Sequence, residues 1–373
     1  MIEVSELKSV TVSLYGRRAG TLALTPEGLC AFQYDNDFIR NGYSLSPLKL
    51  PLGPQLFIAR PHPFEGGFGV FDDSLPDGWG RLIQDRYLRA NGIDPDTTSL
   101  LQRLSLMGKN GRGALEYTPA TELPDEHGAE MTACQVDKLS AAAHEIAITE
   151  DASYENYAEL YRYGGSSGGA RPKAFIRADG TEWIIKFKAA DDPDNTGQRE
   201  YETSLLAKAC GISMPQTRLF NDKYFAAERF DRLSSGKVYT VSAAGLLDAD
   251  YHIPSLDYSG LLTLCRIITR NMKEVEQLFR RMVFNITIQN RDDHAKNFAF
   301  IMDERGEWRL SPAYDLLPSY GFGGYHTTTV NGSGRPERGD MLAVAEIAGI
   351  TRNRADKIID DIEEICAVEG VPK

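Results

Sequence analysis

The segment EVEQLFRRMVFNITIQN (residues 274–290) carries apolar side chains at 275, 278, 279, 282, 283 and 286. That 3.6-residue period commits it to an amphipathic helix with one buried face. It runs without a spacer into RDDHAKNFAFIM (291–302), where Asp292, Asp293, His294, Lys296 and Asn297 crowd together before an apolar run resumes. Any fold built on this sequence must therefore hold a densely polar loop between a buried helix and a strand. A plain connection does not need such a mixture of side chains, whereas a loop that handles a metal ion or a proton does.

The surrounding chain has 373 residues, enough for two or three domains at roughly 100–200 residues each. Its formal net charge of −12 argues against unaided binding to a nucleic-acid backbone. The cysteines at 30, 134, 210, 265 and 366 are scattered, with no Cys-x-x-Cys, and the histidines show no zinc-type spacing. Reduced thiols in a cytoplasm are expected. The opening MIEVSELKSV lacks the apolar core of a signal peptide, and no run of about 18 apolar residues suggests a membrane span.

Alternation from Val10 to Tyr34 predicts a meander of short antiparallel strands with a turn in YGRRAG. A helix is expected after an N-cap at Asp77, ending at Gly92, then a short helix in SLLQRLSLMG and a strand in GRGALEY. The polar stretch near 118–130 reads as a linker. RPKAFIRADGTEWIIKFKA predicts a hairpin turning at Ala178-Asp179-Gly180. A helix from Arg199 to Cys210 and two strands around Asn221-Asp222 follow. AFIMDERGEWRLSPAYD reads as a second hairpin, and TRNRADKIIDDIEEICA as an amphipathic helix. The order is a β-rich unit (1–125), a mixed lobe (126–235) and a helical lobe (236–373).

Four segments carry chemistry. YGGSSGGARPKAF (163–175) places Ser166, Ser167, Gly168 and Gly169 before a strand. Such glycines let backbone N–H groups approach phosphate oxygens, although a flexible loop has the same composition. Lys186 sits on a strand among Ile184, Ile185 and Phe187. It is either an edge-strand lysine in water or an ammonium over nucleotide phosphates, with Glu200 or Glu202 to orient it. Asp292 and Asn297 are five apart, as are a kinase's proton-accepting Asp and its Mg²⁺-holding Asn; an Asx-rich turn explains each singly but not the gap. Asp315, which reads as ending a strand in LSPAYDLLPS, stands among Tyr314, Leu316 and Leu317, where a carboxylate is costly unless paired or metal-bound. Its place beyond Asn297 suits a second metal-holding Asp; the alternative is a turn aspartate before Pro318. His294 fits a structural role in the loop better than that of base. Lys296 is either near the transferred phosphate or solvated.

With these residues, the sequence resembles the HipA family of bacterial toxin serine/threonine kinases over nearly its whole length. GRRAGTLALTPEGLCAFQYD, FDDSLPDGWGRLIQDR and GRGAL are similar to the family's N-terminal subdomain. SSGGARPKAF, IIKF, EYETSLLAKACGISMP and ERFDR resemble its nucleotide lobe, and DDHAKNFAF and SPAYDLLPS its catalytic and metal-binding segments. The resemblance implies an α+β, protein-kinase-like two-lobed core with an N-terminal β-rich subdomain and a mostly helical C-terminal lobe. It implies ATP and Mg²⁺, with Asp292 as catalytic base, Asn297 and Asp315 as metal ligands, and Lys186 on the phosphates. In ERFDR, Glu228 and Phe230 would present backbone groups to adenine and Asp231 would meet the ribose. Ser166 falls at the family's autophosphorylated serine, with Ser167 beside it. Family members phosphorylate aminoacyl-tRNA synthetases, which induces dormancy (persistence). They pair with a small helix-turn-helix antitoxin, HipB, through which DNA contact is expected. Two departures stand out: Asp293 occupies a position where the best-known member has glycine, and TVSAAGLLDADYHIPSLDY differs. A small-molecule phosphotransferase and a nucleotide-binding co-regulator are the competing readings. The N-terminal subdomain argues against the first, and the intact Asp292, Asn297 and Asp315 against the second.

Overall fold

The computed structural model describes residues 6–121, 130–149, 153–321 and 323–371. Most of the expected linker near 118–130 lies outside them. The chain forms two compact units, where the sequence suggested three parts: residues 1–198 with 216–239, and 199–215 with 240–373. Among the described residues, no helix is long and apolar enough to cross a membrane.

The first unit holds two antiparallel sheets. One runs in the order Phe57–Ile58, Cys30–Tyr34, Arg17–Leu24, Ser9–Leu14, Leu115–Thr118. Its first hairpin turns on Tyr15 and Gly16, both at positive φ (52° and 70°), the twist-matched two-residue turn. The alternating side chains Val10, Val12, Leu14 and Leu22 are buried on its core face with Phe32 and Tyr117. The second sheet runs Lys173–Ala178, Thr181–Lys186, Tyr224–Glu228, Thr217–Phe220. Its hairpin turns on Asp179 and Gly180, again both at positive φ. Thr181–Lys186 is paired on both sides, to Lys173–Ala178 and to Tyr224–Glu228. Lys186 is thus on an internal strand, and the edge-strand alternative falls.

Two helices of this unit, Ala133–Ile148 and Tyr154–Gly164, are absent from the sequence reading. The first begins with a capping box between Thr132 and Gln135, a signal that was legible. The second stacks Tyr161 on Tyr87 of the helix Gly78–Ala90, ring centroids 4.5 Å apart, and delivers the Gly-rich loop from its C-terminus.

In the second unit the expected helix forms over Met272–Thr287, burying Val275, Leu278, Phe279, Met282 and Val283. It packs with Tyr258–Thr269 and the C-terminal helix Arg352–Glu369. Ala299–Met302 and Trp308–Leu310 make the second hairpin. One expectation is corrected: Asp315 does not end a strand. The strand stops at Leu310, because Pro312 has no N–H to continue a ladder, and Asp315 follows in irregular backbone with φ +53°.

Candidate active site

The candidate residues divide between the units. In the first, the helix Tyr154–Gly164 ends at Gly165 and the chain turns sharply: Ser167 N and Oγ both donate to Gly164 O, at 2.9 and 2.6 Å. Ser166 and Ser167 are both buried. The loop is strapped to the start of the helix Gly78–Ala90. Trp79 N donates to Gly169 O at 2.8 Å, Gly169 N to the Asp77 carboxylate, and Trp79 Nε1 to Lys173 O at 3.2 Å. Asp77 is at the N-cap position as expected, but its side chain makes no cap bond and serves the loop instead. Glycine at 80 is required by proximity, since a Cβ there would lie 2.1 Å from Ser167 O. Lys173, which the sequence reading passed over, donates its ammonium to Gly168 O.

Lys186 shares the half-exposed face of its strand with Ile184, while Trp183, Ile185 and Phe187 are buried on the other. Its ammonium stands 5.7 Å from the Phe225 ring centroid. In the ERFDR segment, Glu228 N donates to Gln216 O and Arg229 N to Glu182 O. Phe230 is half-buried. Asp231 is the surprise, because its carboxylate is the hub of a buried cluster. Arg229 donates Nε and Nη2 to it at 2.9 and 2.8 Å, Arg232 Nη1 at 2.9 Å and Gly113 N at 3.0 Å. Burial pushes this carboxyl up, but Arg229, Arg232 and the Gly113 N–H outweigh it and hold it well below the usual carboxylate range. A ribose hydroxyl would have to compete with two guanidinium groups.

In the second unit the helix Met272–Thr287 delivers the polar loop, with Gln289 at φ +58° turning the chain. Asp292 is exposed and Asn297 half-buried. Asn297 Nδ2 donates to Asp292 O at 2.6 Å, which closes the five-residue gap and turns Oδ1 away from that carbonyl. Ser319 Oγ accepts from Arg291 N and Asp292 N at 3.1 and 2.9 Å. Asn290 Nδ2 donates to Asp315 O at 3.1 Å. Ser319 Oγ in turn donates to Asn290 Oδ1 at 3.4 Å, so the Asn297 amide and the backbones of Asp292 and Asp315 are joined in one hydrogen-bonded cluster through Asn290 and Ser319, two residues not expected from sequence. His294 Nδ1 accepts from Lys296 N at 3.3 Å, within the loop itself. Lys296 is buried, its ammonium 3.9 Å from the Tyr251 ring centroid and its carbonyl accepting from Tyr314 OH. It is not the solvated lysine of the alternative reading.

Asp293 is 1% exposed. Its Oδ1 accepts from Thr327 N and Thr328 N at 2.9 and 3.1 Å, and its Oδ2 lies 3.0 Å from both Tyr258 OH and His326 Nδ1. Burial, then the charge of Asp293, push the Tyr258 phenol well above its ordinary value, so it stays protonated and donating. Of the two adjacent carboxylates, only Asp292 faces solvent.

The donor set in this unit suits magnesium rather than a preformed cage. Asn297 Oδ1 and the half-exposed Asp315 are hard oxygen donors, and Mg²⁺ ordinarily takes one or two carboxylates, keeps several waters and uses substrate phosphates. Among the described residues, no group of three or more His, Cys, Asp or Glu could hold a metal ion.

Comparison with known proteins divides the chain differently, since one matching model lies wholly in the first unit and the other draws on both. Residues 10–118 match the family model of the HipA N-terminal domain, and residues 165–368 that of the HipA-like C-terminal domain. The chain is 25% identical, over 94% of its length and 87% of the relative's, to the Sinorhizobium fredii protein named "Putative kinase Y4dM". It is 26% identical to "Putative kinase Y4mE" of the same organism, over 82% of this chain and 76% of that one. Among solved structures, HipA of Shewanella oneidensis MR-1, determined in complex with HipB and its operator DNA, matches with a TM-score of 0.71 at 18% identity. That match covers 96% of this chain and 89% of the other, and it establishes a kinase-like fold.

Proposed function

The chain belongs to the HipA family, and from that premise we propose that it is an ATP- and Mg²⁺-dependent protein serine/threonine kinase, the toxin of a HipA/HipB-like toxin–antitoxin system. One observation carries the reading: the Asn297 amide and the backbones of Asp292 and Asp315 are tied into a single cluster that leaves the Asp292 carboxylate exposed. Asp292 is suited to accept the proton of a substrate hydroxyl. Asn297 Oδ1 and Asp315 would hold the metal. When bound, the ion neutralises charge on the phosphates as transfer proceeds. Lys186 would contact the phosphates, and Gly168 and Gly169 would line them. Glu228 and Phe230 would offer backbone groups to adenine. Asp231 enters chiefly as the anchor of that segment, His294 and Lys296 as the loop's internal supports. The relatives' names support the kinase reading, and the solved complex of HipA with HipB and operator DNA supports a HipB-like antitoxin as partner; that antitoxin would be a helix-turn-helix protein through which DNA is mainly reached. A translation component such as an aminoacyl-tRNA synthetase is the proposed substrate class.

Autophosphorylation at Ser166 or Ser167 would act as a switch. Both serines are buried while the loop rests on Asp77–Gly80, so modification would require the loop to leave. A phosphate dianion there would then meet the Asp77 carboxylate and repel nucleotide phosphates. The test is incubation with γ-labelled ATP and Mg²⁺. Label should appear on Ser166 or Ser167 in wild type and be lost in Asp292→Gln, together with growth arrest on expression. Equal labelling of the variant would refute the assignment.

A further inference from the structure

Asp293 has no role in the chemistry proposed above, yet both of its carboxylate oxygens are held. Four donors meet its two oxygens: Thr327 N, Thr328 N, Tyr258 OH and His326 Nδ1. They fill the usual lone-pair directions of an ionised carboxylate, and none is an ammonium or guanidinium. Asn285 Nδ2 donates to Tyr258 OH at 3.0 Å and so holds the phenol in place from the helix Met272–Thr287. Thr328 Oγ1 donates to the Asp293 carbonyl as well. Immediately upstream, Arg291 O accepts from Thr327 N and Oγ1 at 3.1 and 3.0 Å. On the other side, Ser319 Oγ takes the N–H groups of Arg291 and Asp292. Residues 291–293 are therefore gripped from both ends of the 319–328 segment, and Asp293 is the grip at the far end.

We propose that Asp293 is a positioning residue for phosphoryl transfer: it locks the backbone of Asp292 onto the 319–328 segment and so fixes where the proton-accepting carboxylate stands. The proposal rests on the kinase reading. Its physical basis is that a displacement of about 1 Å at a catalytic group costs on the order of 10²-fold in rate. Asparagine at 293 would preserve the lock. Its Oδ1 keeps the two backbone donors, and its Nδ2 faces a phenol oxygen and an imidazole nitrogen that can both accept. Alanine removes every side-chain contact.

The experiment compares Asp293→Ala, Asp293→Asn and wild type, with turnover counted per nucleotide-binding site so that unfolded protein does not contribute. Expected are a fall in kcat of about 10²-fold for Ala, ATP KM within about threefold, and recovery to within roughly tenfold for Asn. A merely structural role would lower the melting temperature and leave kcat per site unchanged, which overturns the proposal. An Asn variant as impaired as Ala also overturns it, because charge and not geometry would then be at work. Hydrogen exchange is the independent arm: peptides spanning 288–300 and 323–330 should lose protection together in Ala and keep it in Asn. If wild type and Asp292→Gln are equally inert, the kinase reading fails, and the exchange arm alone decides the lock; unchanged protection refutes it. Should the Ala chain not fold, Thr328→Val removes one donor to the Asp293 carbonyl and takes its place, with a smaller loss in the same direction.

Discussion

Replacing Asp231 by Asn separates two roles for one carboxylate. The family resemblance makes it a ribose ligand, whereas the structure makes it the counter-ion of two guanidinium groups. Arg229 is 7% exposed and binds it twice, at 2.9 and 2.8 Å, while Arg232 adds a contact at 2.9 Å. Without the charge, the next carboxylate to Arg229 is Glu182 at 3.7 Å. Removing one member of such a buried pair costs about 3–5 kcal/mol, because the remaining charge stays buried. For a unit of this size that corresponds to a drop in Tm of roughly 6–20 °C. The folded pKa of Asp231 is depressed, so its contribution is complete above the unfolded value of about 3.9 and fades as pH falls through the folded one. The gap between wild type and variant in urea unfolding should therefore be constant from pH 5 to 8 and narrow only in strong acid. Calorimetric titration with nucleotide is run on the same samples. A variant within about 1 kcal/mol of wild type that has lost nucleotide affinity would refute the anchor and restore the ribose role.

Gly80→Ala should destabilise by about 1–3 kcal/mol, because its new Cβ would sit 2.1 Å from Ser167 O. Limited proteolysis should find the 164–172 loop opened, and an unchanged melt would mean the loop does not rest there. Gly260→Ala has the opposite sign. It is exposed in the helix Tyr258–Thr269 with nothing within 4 Å of the added Cβ, so a gain of about 0.5–1 kcal/mol is expected in thermal unfolding. Lys186→Met should weaken ATP binding by roughly 10–100-fold, the equivalent of one charge-assisted contact of about 1.5–3 kcal/mol. Equal affinity would remove Lys186 from the phosphate site.

What the sequence disclosed was local. The hairpins at Tyr15-Gly16 and Asp179-Gly180 are written in residues that tolerate positive φ, and the helix Met272–Thr287 in its period. The Asp292–Asn297 gap was legible because the bond it produces, Asn297 Nδ2 to Asp292 O, lies inside the same six residues. The helix Ala133–Ile148 was missed despite its Thr132–Gln135 capping box, since its stripe of Val136, Leu139, Ala143 and Ile146 is diluted by alanines. Other features had no local signal at all. Asp77 and Gly169 meet across 92 positions, and Asp231 and Gly113 across 118.

The pair Asp292-Asp293 shows why such features decide function. Spacing to Asn297 distinguishes the two carboxylates by one position, but it carries no information on which of them is buried. That is set by Tyr258, 35 residues upstream, and by His326, Thr327 and Thr328, 33 to 35 residues downstream. With Asp293 held among those partners, Asp292 is the carboxylate left facing solvent. The carboxylate that stands where the best-known family member has glycine is thus the buried one of the pair, and Asp292 is the one left exposed.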